Sequence, residues 1–394
     1  MPRMKLGRSF TRVYYSIHTF WEKHGVLLTA LLVLLASGFA LFVRIQPYFN
    51  VMMSGIGVTY PEARLDELDP YINYWLVNYL DKHGPFSWFE LNKNNPDTCM
   101  FWFPNCRSFT NSELPGHIYT LYLGYQVAKL FGLDLMGYMS IVPPILGALT
   151  AIGIALLIFE LTNSKIASIL GSWVYAMMFV SRNVAGFVVK YSFGIFIAPF
   201  VIWLHLRALK RNRLIDYVLT SILLAYASTL WAGIALTAIP ILITMILIPL
   251  IKDLKKDIKA KEYLMKFGIE ILIPLATMLT IPYYSGKIVR GGIGLAFLGA
   301  YVLYVAGYAF HRLLSRKHAL IAYATLLTAV IALGLLSIYV FHIIKPSGKI
   351  ALALGIRPGG LPETVAEYQR FVNLTPDMVL LISLAVLFGV PMVL

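Results

Sequence analysis

Four carboxylates crowd one stretch of a chain otherwise poor in acids: Glu62, Asp66, Glu67 and Asp69, the last three within four residues. Like charges held this close call for a cation. Pro70 suits the first helical position and Asp69 the cap before it. Ile72, Trp75, Leu76, Tyr79 and Leu80 then follow at helical spacing, which predicts a helix along an apolar surface from Asp69 to Lys82. The plain alternative is that Asp69 only caps that helix. Two more elements carry charge at places that bear on chemistry: Arg182 with Lys190, and Glu367 within Pro362-Glu363-Thr364-Val365-Ala366-Glu367-Tyr368. Carboxylates from distant positions, with two cations at one surface, suit a ligand that combines a phosphate, a metal ion and a polar acceptor. Taken singly, each reads otherwise: a surface Glu is solvated, and an Arg at a helix end snorkels.

The elements that must position these residues are membrane helices. Of 394 residues 59% are hydrophobic and 13% charged, against roughly 45–50% and 25% in soluble domains, so the fold class is all-α and multi-pass. Apolar runs of spanning length fall near 26–43, 138–161, 166–181, 191–209, 215–231, 233–251, 267–285, 291–310, 319–343 and 377–394, which predicts about ten transmembrane helices. Arg3, Lys5, Arg8, Arg12 and Lys23 precede the first run without a cleavage site, so residues 1–25 are expected to form a basic cytoplasmic N-terminus. Alternation then places Arg207, Lys210, Arg211 and Arg213, the Lys-rich loop 252–266, and Arg312, Arg316 and Lys317 on the same side. These segments, with Lys165, hold more than half of the Lys and Arg residues, as the positive-inside rule requires. The net charge of +14 is thereby accounted for by orientation, and no nucleic-acid partner is expected.

On the opposite side fall the segments 45–137, 182–190, 286–290 and 344–376, and with them every residue singled out above. The first is too long for a passive connection. It holds the acid cluster, its helix, a Trp/Phe/Pro-rich piece from Trp88 to Pro104 and a second helix predicted from Ile118 to Phe131. Cys99 and Cys106 lie in it; on an oxidising face they can pair, and two free thiols remain the alternative.

At this point the residues resemble a family. Glu67-Leu68-Asp69-Pro70-Tyr71-Ile72-Asn73-Tyr74 resembles the first DXD motif of the catalytic subunit of oligosaccharyltransferase, archaeal branch. Arg182-Asn183-Val184-Ala185-Gly186 resembles the R-S-x-A-G lead into its second motif, and Thr364-Val365-Ala366-Glu367 its TIXE/SVSE motif. Trp102-Phe103-Pro104, Arg107 and Leu114-Pro115-Gly116 are similar to its W-[FY]-P-x-G-R…P-G pattern, and Trp231-Ala232-Gly233 to its W-G-G turn. The matches keep the family's order across most of the chain.

The resemblance implies a GT-C type membrane glycosyltransferase at the cell membrane with an extracellular active face. It would take a glycan from a lipid-linked oligosaccharide on a polyprenyl or dolichyl (di)phosphate carrier to the Asn of an Asn-x-Ser/Thr acceptor. Asp69 would bind Mn2+ or Mg2+ and hold the acceptor amide, Glu367 would hydrogen-bond the acceptor Asn, and Arg182 would support the acidic centre. Two departures stand out. The family's acidic pair is replaced by Val189-Lys190-Tyr191, which leaves Glu113, Glu67 or Asp66 as stand-in metal ligands, or the Lys190 ammonium acting on a phosphate. The family's external C-terminal domain does not follow Leu394, so the chain is expected to be a fragment or a truncated frame, a GT-C-like domain over 26–394. The alternatives are another lipid-phosphate-sugar GT-C enzyme, which would lack the TVAE element, and a transporter or flippase, which would place acids within its spans.

Overall fold

The computed structural model describes residues 8–53, 65, 68–101, 104–178, 183–285 and 293–339, and among them every regular element is helical. The long elements are α1 (Arg8–Met53), α2 (Leu68–His83), α4 (Pro115–Lys129), α5 (Leu135–Thr162), α6 (Lys165–Met177) and α7 (Lys190–Arg211). They continue as α8 (Leu214–Leu230), α9 (Ile234–Ile251), α10 (Ala260–Thr280), α11 (Ile293–Leu313) and α12 (Arg316–Tyr339), with the one-turn α3 (Phe109–Ser112) in the loop before α4.

Among the described residues six stretches are long and apolar enough to cross a membrane: His24–Gln46, Leu135–Thr162, Lys190–Arg211, Ala260–Thr280, Gly294–Leu313 and Arg316–Ser337. The runs expected near 166–181, 215–231 and 233–251 correspond to the shorter α6, α8 and α9, while the run 377–394 lies outside the described residues. The protein is a multi-pass membrane protein. Two boundaries moved: α1 runs from Arg8 to Met53, past both ends of the expected run 26–43, and α10 starts at Ala260, inside the Lys-rich stretch expected to be loop to 266. Lys266 fits there because its ammonium donates to Glu262 Oε2 (2.6 Å) and to the Asn212 carbonyl (2.8 Å), so a helical, 5% exposed lysine keeps its partners.

The chain divides into two compact units, residues 1–75 with 125–203, and 76–124 with 204–394. In the first, α1, α5 and α6 approach through small residues: Ala36, Ala40, Ala151 and Ala176 are fully buried against one another. Ser37 Oγ donates to the Ala148 carbonyl (2.9 Å), Ser168 to Ala155 (2.7 Å) and Ser172 to Ala151 (3.1 Å). Lipid supplies no hydrophobic drive between helices, so close backbone approach and hydroxyl-to-carbonyl bonds are what hold them. In the second unit the same device uses tyrosine: Tyr304 reaches the Ala260 carbonyl (3.0 Å), Tyr323 Ile246 (2.9 Å) and Tyr284 Ser228 (2.7 Å). His205 Nδ1 and Glu270 Oε1 meet at 2.7 Å with both side chains fully buried, tying α7 to α10.

Candidate functional site

Helix α2 starts at Leu68, one residue before the predicted start, so Asp69 lies in its first turn instead of at the cap and is exposed. A carboxylate there is favoured by the unpaired amides and dipole of the helix start. The buried face also differs from the predicted stripe. Leu76, Val77, Tyr79 and Leu80 are buried, but Ile72 and Trp75 are only half-buried, and the first turn is anchored by Pro70 and Asn73. The reason is tertiary: Asn73 Nδ2 donates to the Val188 carbonyl at 2.9 Å. Asp69 is thus one helical turn from a residue bonded into the segment that leads to Lys190.

That segment, Asn183 to Val189, is irregular and wholly buried, and named backbone bonds hold its middle in place. Ala185 N–H donates to the Arg44 carbonyl (2.9 Å) and Gly186 N–H to the Ser140 carbonyl (3.0 Å). The second bond has a sequence cause. α5 carries Pro143 and Pro144 in its interior, and Pro144 has no N–H for the carbonyl four residues back, which is Ser140. The freed acceptor is where the segment docks. Gly186 takes a φ of +83°, a left-handed conformation in which a Cβ is strained, so the glycine of the Arg-Asn-Val-Ala-Gly motif has a backbone reason. Val184, Phe187 and Val189 form an apolar cluster against Tyr191, and Ser192 Oγ closes onto the Phe187 carbonyl (3.3 Å). Lys190 then opens α7, half-buried. Arg182, Asp66, Glu67 and Glu367 lie outside the described residues, as do Trp102, Phe103 and the whole TVAE element.

The loop from Pro85 to Pro115 belongs to the second unit. Cys99 and Cys106 are disulfide-bonded, and beside them Arg107 Nη2 donates to Glu113 Oε1 at 2.5 Å while its guanidinium covers the Phe109 ring at 4.7 Å. Glu113 therefore has a guanidinium partner. Tyr119 donates to the Pro85 carbonyl (2.7 Å), and burial pushes its phenol pKa up. Gly116 packs so close to α8 that a Cβ would stand 2.0 Å from Thr229 Oγ1, and a Cβ on Gly233 would meet the Trp231 ring at 2.2 Å. The glycines of the Leu-Pro-Gly and Trp-Ala-Gly motifs are thus glycines of close approach, and Thr229, against which the first packs, lies two residues before Trp231.

A divalent cation such as Mn2+ or Mg2+ takes several oxygen ligands. Among the described residues no three His, Cys, Asp or Glu side chains converge, Glu113 is engaged by Arg107, and Val189 is 2% exposed in an apolar cluster. The described donor set does not fit such an ion. What it offers instead is one exposed carboxylate and one lysine at a helix start, the second suited to an anion.

The profile of the family described as "Oligosaccharyl transferase STT3, N-terminal" matches residues 57–388. The fold is similar to solved structures of the Archaeoglobus fulgidus oligosaccharyltransferase AglB. With an inhibitory peptide and a dolichol-phosphate, that structure gives a TM-score of 0.61 at 16% identity, over 84% of this chain and 40% of the other. With Zn and sulfate the values are 0.61 and 17%, over 92% and 48%. Tethered to an acceptor peptide containing an NVT sequon, they are 0.59 and 17%, over 88% and 40%. The chain spans less than half the length of these structures.

Proposed function

From the premise that the chain belongs to the oligosaccharyl transferase STT3 family, we propose that it forms the membrane part of an enzyme moving a glycan from a polyprenyl or dolichyl (di)phosphate carrier to a sequon asparagine. The observation that carries this reading is the Asn73–Val188 bond, which couples the helix start bearing Asp69 to the segment ending at Lys190. An acid and a cation are what a reaction between an amide and a phosphate-linked sugar needs from a protein.

An amide nitrogen is a poor nucleophile because its lone pair is delocalised into the carbonyl. Asp69 and Glu367, each accepting one N–H of the acceptor side chain, would favour a twisted amide whose lone pair is available. Attack at the anomeric carbon would form the C–N bond, break the bond to the lipid phosphate, on which negative charge grows, and pass one amide proton to one of the two carboxylates. Arg182 and Lys190, the latter at the start of α7, would hold that charge. A Mn2+ or Mg2+ ion, implied by the resemblance, would need Glu67 or Asp66 beside Asp69, and no step here is routed through it. The active face is proposed to be the extracellular one, which the Cys99–Cys106 disulfide supports.

The test is glycan transfer to an Asn-x-Thr peptide by the full-length protein from a lipid-linked donor. The wild type is expected to transfer. Glu367→Gln is expected to lose transfer while binding donor as before, because it preserves shape and removes one acceptor charge. Equal loss of donor binding places Glu367 on the donor side, and no transfer by the wild type overturns the function.

A further inference from the structure

Arg44 takes no part in the chemistry above, yet it is the most constrained charge in the first unit. It is fully buried, and its four terminal bonds all go to neutral backbone carbonyls. Nη1 donates to Ala40 and Ala176 (3.2 Å each), and Nη2 to Tyr175 (3.0 Å) and Met178 (2.9 Å). Its guanidinium lies 4.8 Å from the Tyr175 ring centroid, and its Nε is buried without a partner among the described residues. Three of the accepting carbonyls stand at the end of α6, where the dipole is negative and local donors run short: Tyr175, which also accepts from Met178 N–H, Ala176 and the cap residue Met178. Arg44 thus caps α6 from a neighbouring helix.

The same residue also holds the chain beyond Asn183. Its own carbonyl accepts from Ala185 N–H (2.9 Å), and Asn183 Nδ2 donates to the hydroxyl of Tyr175 (3.3 Å), whose ring the guanidinium covers. Space is reserved for it: a Cβ on Gly147 would come 2.6 Å from Arg44 Cδ and 3.2 Å from Asn183 Cβ. Met178 and Asn183 are therefore anchored on one stacked pair of side chains, Arg44 and Tyr175.

We propose that Arg44 is the positioning residue for the buried segment from Asn183 to Val189, setting where Lys190 stands at the start of α7. The inference deepens the reading of this segment as the donor-phosphate site and rests on it for its functional half.

Amide hydrogen exchange on the full-length protein in nanodiscs tests the structural half. In Arg44→Lys, exchange at Ala185 and Gly186 is expected to rise by about tenfold or more while the α1 and α5 amides stay protected. Ser37→Ala, which loosens the same helix pair without touching the segment, is expected to leave both amides unchanged. Should Arg44→Lys not fold, Gly147→Ala, which displaces Arg44 without removing it, is expected to move the same two amides. Unchanged protection in the variant that folds overturns the proposal, as does an equal rise in Ser37→Ala. Dolichyl phosphate binding tests the other half. Arg44→Lys and Lys190→Gln are each expected to weaken it about tenfold, and the double variant no more than either, since one acts through the other. Additive losses overturn the positioning role. If the wild type binds no dolichyl phosphate, the functional reading of the site fails, and the exchange result alone decides the proposal.

Discussion

The segment from Asn183 to Lys190 and the loop from Pro85 to Pro115 are both irregular chain beside an arginine, and the two arginines are used in opposite ways. Arg44 gives its donors to neutral carbonyls, and the acid on the helix that the segment grips, Asp69, stays exposed. Arg107 is spent on Glu113, six residues on, next to a disulfide. A carboxylate already bonded to a guanidinium has little left to offer a substrate, whereas one left open at a helix start keeps its full acceptor capacity. Acid content alone therefore does not locate chemistry. The first region leaves the Asp69 carboxylate exposed, and the second spends its charges on holding itself.

That contrast breaks most visibly at Asp69. Asp69→Asn is expected to lower glycan transfer by the full-length enzyme about a hundredfold or more. Stability should change by only about 0.5 kcal/mol, the worth of a first-turn charge. Wild-type transfer in this variant would reduce Asp69 to a helix-start residue. In the second region the largest effect should be thermal. Cys99→Ser with Cys106→Ser is expected to cost about 2.5 kcal/mol by the loop-closure estimate, read from the unfolding midpoint, with donor binding retained.

Glu113→Gln sharpens the comparison directly. Loss of a charge-assisted bond should cost about 2 kcal/mol and leave Mn2+ binding, followed by titration calorimetry, as it was. If the variant instead abolishes a Mn2+ site present in the wild type, the loop is a ligand region and the comparison fails. The smallest effect is expected at Tyr119→Phe, about 1 kcal/mol for the lost bond to Pro85. Its pH dependence has a definite sign. Burial raises the phenol pKa in the folded state, so its contribution is whole below the unfolded value of about 10 and is lost as pH rises through the folded value. The variant should flatten the alkaline limb of stability against pH, and an unaltered limb would assign that loss to another group.

Membrane helices were legible because a span needs a long apolar run, and the run 138–161 duly becomes Leu135–Thr162. What sequence hid was anything settled by a distant partner. Asn73 reads as a polar interruption of a stripe until the Val188 carbonyl is seen opposite it, after which the whole face of α2 turns by about one residue. Lys266 reads as loop charge until Glu262 and Asn212 are placed around it. Arg44 carries no motif, and nothing near it in sequence announces the end of a helix 131 residues away. The Pro143–Pro144 pair could have been a signal: two prolines within an apolar run free two carbonyls, and something must come to meet them.

The His205–Glu270 contact makes two helices depend on one another. A polar group buried without a hydrogen bond is costly, and in this pair each side chain is the other's partner at full burial. Removing one member strands the other, which costs more than the bond itself is worth. α7 and α10 can therefore lose this link through substitution only if both partners change together.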